Sequence, residues 1–83
     1  MIMYQMYILY SAKLERYYVG STNNLEDRLR RHNKGYGKYT RQGIPWILVS
    51  DYRFSTRSEA VKFENRIKKR GIKRFLLDSN HGV

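Results

Sequence analysis

The chain has 83 residues and no cysteine, and its 17 Lys and Arg against 7 Asp and Glu give a formal charge of +10. That length predicts one domain over residues 1–83, near the lower limit for a self-sufficient core, with disulfides and thiolate zinc sites excluded as supports. So large a positive excess favours a polyanionic partner, nucleic acid ahead of an anionic membrane, because no long, clean apolar helical face opposes the basic residues. No run approaches the roughly 18 apolar residues of a membrane span. Residues 1–9 are too short for a secretory leader, with the first charge at Lys13, so the expected location is the cytoplasm.

Two tyrosine-rich apolar runs, residues 3–11 and 16–21, flank the short charged turn from Ala12 to Arg16 and predict a β-hairpin. Tyr4, Tyr7, Tyr10, Tyr17 and Tyr18 crowd into it, each burying a ring while keeping one hydroxyl for a substrate or water. Asn23 with Glu26 resembles a capping box and Gly35 is a natural stop, which predicts a helix over about residues 24–34. Residues 36–43, Y-G-K-Y-T-R-Q-G, carry two glycines and no apolar period and predict a loop. Pro45 then opens W-I-L-V-S-D-Y-R-F, a third strand. Thr56 and Glu59 form a second capping box before a helix to about Arg70; Gly71 ends it, and residues 72–78 predict a short last helix. The order β-β-α-β-α-α predicts an α/β (α+β) sandwich with a small three-stranded sheet and flanking helices.

At about 100° per residue, Leu25 and Leu29 define the inward stripe of the first helix, with His32 on it and Arg28 beside it. On the second helix Glu64 falls inside the apolar arc of Ala60, Val61, Phe63 and Ile67, where a carboxylate calls for a metal or a cationic partner. Each residue alone has a plain structural reading. Glu64 could pair with Arg28, His32 could be a hydrogen-bonded core histidine, the tyrosines could pack, and the basic run from Lys68 to Arg74 could be a solvated face. Co-occurrence points further: tyrosines, an arginine, a histidine and one carboxylate on a basic chain suggest phosphodiester chemistry.

At these residues the chain resembles the GIY-YIG endonuclease domain, over about residues 4–80. Y-V-G at Tyr18-Val19-Gly20, the following S-T-N-N-L-E-D-R-L-R-R-H-N, K-Y-T-R at Lys38–Arg41, P-W at Pro45-Trp46, R-S-E-A and E-x-x-I-K look like the small standalone bacterial members. The first half-motif departs from the pattern: Gln5-Met6-Tyr7 stands where the family name has G-I-Y, and only the tyrosine is kept.

The resemblance implies hydrolysis of DNA phosphodiesters with one divalent ion, Mg²⁺ or Mn²⁺, bound by Glu64 and held weakly without DNA. It implies that Arg28 grips a non-bridging phosphate oxygen, that Tyr7 takes the proton of the attacking water, and that Tyr18 positions water or shares that role. A basic tyrosinate needs nearby cations or the metal to lower its pKa, and the many Lys and Arg are expected to do so. His32 would hydrogen-bond a tyrosine hydroxyl; Gly20 is the motif glycine; Lys38, Tyr39 and Arg41 would contact phosphate, with Asn80 as the family's terminal asparagine. The expected function is a structure-selective DNA endonuclease of repair or recombination acting on branched or nicked DNA. The alternatives are a non-catalytic nucleic-acid-binding module, or a subunit that needs a protein partner for activity or specificity.

Overall fold

The computed structural model describes residues 3–81, with side chains described for residues 3–78. Strands β1 (Tyr4–Ser11) and β2 (Arg16–Thr22) form the antiparallel hairpin, with Tyr7 opposite Gly20 and Leu9 opposite Tyr18. Its turn holds Glu15 at φ 52° and is braced by the Leu14 N–H donating to Ser11 Oγ over 3.1 Å. Strand β3 (Trp46–Phe54) pairs with the other edge of β1, giving the order β2-β1-β3. Pairing steps from Ile8↔Ser50 to Leu9↔Leu48, so Val49 bulges from the outer strand.

Helix α1 (Leu25–Asn33) starts one residue later than the capping pattern predicts. Its cap is Asn24, not Asn23: the Asn24 side chain accepts from the Asp27 N–H at 3.1 Å, while Thr22 Oγ1 accepts the Asn24 N–H. Gly35, at φ +86°, turns the chain away, and the Tyr36 N–H returns to the Arg31 carbonyl. Residues 36–43, expected as loop, contain a 3₁₀ turn at Thr40–Gly43, closed by short-range bonds such as Gln42 N–H to the Tyr39 carbonyl that need no apolar period. Helix α2 (Arg57–Arg70) begins at the Thr56 cap, with Glu59 bound to it in the expected box. Helix α3 (Ile72–His81) runs three residues past the expected end at residue 78, so the backbone of Asn80 is helical.

Met6, Tyr7, Ile8 and Leu9 are all buried because β1 is central and covered on both faces. Met6 and Ile8 join Val19 and Ile67 on one face, beneath α2 and α3, where Tyr52, Phe63 and Phe75 meet edge to face. Tyr7 and Leu9 join Trp46 on the other face, packed with Leu25, Leu29 and Ile44. The fold is thus α+β, a three-stranded antiparallel sheet with three α-helices. Helix α1 and the segment to Ile44 cover the face that carries Tyr7, which sets His32 and Thr40 beside it.

Candidate active site

Tyr7 stands on β1 directly across the ladder from Gly20, and its phenol lies over that glycine. A Cβ at residue 20 would sit 2.6 Å from the Tyr7 hydroxyl oxygen, so only glycine leaves room for the ring. The hydroxyl meets His32 Nε2 at 3.1 Å, and His32 Nδ1 meets Thr40 Oγ1 at 3.0 Å, both within the buried interior. Burial first, then the Arg28 charge, hold the His32 pKa below its usual 6.5, so the imidazole is neutral at pH 7. A neutral imidazole has one N–H and one lone pair, so it donates to one hydroxyl and accepts from the other. The ring therefore links Tyr7 to Thr40 in a directed chain.

Thr40 is fixed from two sides. The Trp46 indole N–H donates to its carbonyl, and Gly37 runs so close that a Cβ there would lie 2.3 Å from Thr40 Oγ1. Asn33 in turn clamps the start of β3 to α1, accepting from the Trp46 N–H at 2.6 Å and donating to its carbonyl at 3.1 Å. Neither Thr40 nor Asn33 is among the site residues expected from the sequence. Thr40 lies inside the K-Y-T-R segment, the one signal that could have drawn notice to it.

Tyr18 flanks this chain, its ring 5.1 Å from His32 at a near-perpendicular tilt and 6.3 Å from the half-exposed, stacked Tyr39. Arg28 is exposed and lines a depression of about 210 Å³ with Arg31, His32, Tyr36 and Gly37. Its charge reaches both Tyr7 and His32. Glu64 projects from α2 with its side chain only 15% exposed, and it pairs with Lys68 at 2.7 Å one turn on rather than with Arg28. Its charge too is felt at Tyr7.

These charges do not make Tyr7 acidic. Burial, with lesser help from Tyr18 and Glu64, pushes its pKa well above the usual 10.0, and Arg28 offsets only part of the rise. The expectation that the many cations would lower it is corrected: the Lys and Arg side chains lie largely in solvent, while the phenol is desolvated.

Among the described residues no group of three or more His, Asp or Glu could hold a metal by protein ligands alone. Glu64 fits as a single hard oxygen donor, since its carboxylate is shielded yet its present partner Lys68 is half exposed and free to swing away. Lys38 and Arg41 are exposed on the segment that carries Thr40, with Arg41 in the 3₁₀ turn. The Asn80 side chain lies outside the described residues.

The site is thus a buried phenol–imidazole pair in a small α+β domain, with basic side chains around it. Residues 3–74 match the family described as the GIY-YIG catalytic domain, and the chain belongs to that family. A UPF0213 protein of Nitratidesulfovibrio vulgaris is 47% identical over 53 residues, covering 63% of this chain and 48% of that protein. A UPF0213 protein of Clostridium perfringens is 48% identical over 65 residues, covering 77% and 69%. The solution NMR structure of a UPF0213 protein from Bacillus halodurans superposes with a TM-score of 0.56 at 32% identity, covering 94% of this chain and 84% of that one. The chain spans 48 to 63% of the length of the first three curated relatives it matches.

Proposed function

We propose that the chain is a divalent-metal-dependent endonuclease that hydrolyses DNA phosphodiester bonds in the cytoplasm, selecting DNA structure rather than sequence, in repair or recombination. The observation that carries this reading is the buried chain from the Tyr7 hydroxyl through His32 to Thr40, opening beside the Arg28 depression. A purely binding surface has no use for a phenol–imidazole–hydroxyl relay. Contacts through exposed Arg28, Lys38, Tyr39 and Arg41 would be to backbone phosphate, which positions DNA without reading base edges.

Tyr7 takes the proton of the attacking water while passing its own to His32 Nε2, so no free phenolate has to form against the burial that disfavours it. The resulting imidazolium keeps its Nδ1–H on Thr40 Oγ1, which fixes the ring through the transfer. Tyr18 walls the water side of the pair, and Arg28 holds a non-bridging oxygen as charge grows on it. A divalent ion on Glu64, its shell completed by phosphate and water oxygens, would supply Lewis-acid polarisation of the phosphate and neutralise the leaving 3′ oxygen.

The test is incubation of the pure protein with supercoiled plasmid and branched oligonucleotides in Mg²⁺ or Mn²⁺, beside Glu64→Gln and Tyr7→Phe. Nicking that needs the ion and is lost in both variants supports the reading. DNA binding with the same nicking in all three proteins overturns it in favour of a non-catalytic binding module.

A further inference from the structure

Arg28 lines a second depression, of about 170 Å³, to which His32 does not contribute. Its other walls are Tyr4, Ser21, Thr22, Asn23 and Arg57. Arg57 comes from the first turn of α2, so two elements distant in sequence bring two guanidinium groups to one small hollow. None of its lining residues is acidic. Three carboxylates are engaged elsewhere: Asp27 with Arg30 and Arg31, Glu59 with Ser55 and Thr56, Asp51 with Gln5. Neither Arg28 nor Arg57 has an ion pair among the described residues.

Two unpaired cations facing one hollow repel each other, and Arg57 also sits at the helix end where a positive charge is disfavoured. Among the described residues it has no ion pair that would offset either effect. A bound anion would relieve both. Guanidinium forks with side-chain hydroxyl and amide groups are a donor set suited to a phosphate diester.

We propose that this hollow is a second phosphate subsite, taking the DNA backbone phosphate next to the one at the Tyr7–His32 pair, with Arg57 as its main anchor and Arg28 shared between the two. It rests on the reading of the chain as a DNA-cleaving domain and adds where the flanking strand lies. The strand runs over the N-terminal turn of α1, from the His32 side of Arg28 to the Arg57 side. Arg57 contacts substrate away from the reacting atoms, so it contributes affinity rather than chemistry.

Two measurements test the subsite. The first is DNA affinity in EDTA over about 50 to 200 mM salt for the unaltered protein, Arg57→Gln and Arg57→Lys. Loss of one phosphate contact makes the slope of log affinity against log salt shallower by about one. Arg57→Gln is expected to show that loss and Arg57→Lys to keep the slope; identical curves for all three overturn the subsite even if the unaltered protein nicks DNA. The second is titration of the ¹⁵N-labelled protein with dimethyl phosphate, read at the Ser21, Thr22 and Asn23 amides. Shifts present in the unaltered protein and absent in Arg57→Gln support the subsite even if cleavage fails, and no shift in either overturns it.

Discussion

Tyr7 keeps its proton far beyond the ordinary phenol range because the ring is 1% exposed. If its phenolate alone were the base, kcat/KM would keep rising roughly tenfold per pH unit through the alkaline range. Passing the proton to His32 predicts a different profile: activity reaches a plateau in the neutral range and falls as pH drops through the histidine pKa, which burial and the Arg28 charge hold below its usual 6.5, when Nε2 loses its lone pair. A pH–rate profile separates the two. Thr40→Val keeps the shape and leaves His32 Nδ1 without its partner; kcat is expected to drop about 10- to 100-fold, less than the roughly 10²–10⁴-fold that acid–base catalysis as a whole supplies, with a displaced acid limb. Unchanged kcat and an unchanged limb would remove Thr40 from the relay. Gly20→Ala drives a methyl into the phenol; overpacking of this kind destabilises by about 1–3 kcal/mol, so Tm falls by at least about 4 °C and nicking is lost with it. Residue types were legible in the sequence here, but their chemistry was not. That Tyr7 would be desolvated, and that Thr40 rather than Tyr39 would reach His32, depends on how residues 36–43 fold under Trp46.

Elements were more legible because their signals are local. Two aromatic-rich apolar runs around a charged turn gave the hairpin, and the Thr56–Glu59 box gave the start of α2, since a cap bonds within its own turn. The first cap fell one residue off because Asn23 and Asn24 are adjacent and chemically alike, and only the Asp27 N–H chooses between them. The Lys68 partner of Glu64 was readable at spacing four, whereas pairing with Arg28, the plain structural alternative, required a tertiary guess. Asn33 shows what local patterns miss: it bonds both backbone groups of Trp46, 13 residues on, as another strand would. Asn33→Ala leaves those groups with only water to satisfy them, and Thr56→Ala removes a cap worth about 1 kcal/mol. Ile67→Ala, which hollows the α2 face of the core, is expected to cost more, about 2–5 kcal/mol. Urea titrations should rank Ile67→Ala as more damaging than Thr56→Ala; the reverse would mean that α2 is held by its end rather than by its buried face.

Across the whole molecule, a charge of +10 dominates the field an approaching DNA meets. Affinity should therefore fall steeply between about 50 and 200 mM salt, and a flat curve would argue against phosphate-led binding. Among the described residues no helix is long and apolar enough to cross a membrane. The outer strand β3 exposes Ile47, Leu48 and Val49, an unusual row on so basic a protein. The bulge at Val49 breaks its regular ladder and so blunts pairing with a second chain.

The Tyr7–Gly20 pair bears on which changes in chain length the protein can accept. Because the two residues meet across a hydrogen-bonded ladder, the number of residues between them is free to vary at the turn beyond Ser11, provided the strands stay in phase. Residues added between Ala12 and Glu15 would enlarge the loop and leave the phenol over its glycine. One residue removed between Tyr7 and Ser11 would put the tyrosine on the opposite face of the sheet, toward Ile67 and away from His32. Length variation among functional relatives should accordingly concentrate in that turn, and a library of insertions and deletions across the hairpin would show the same division.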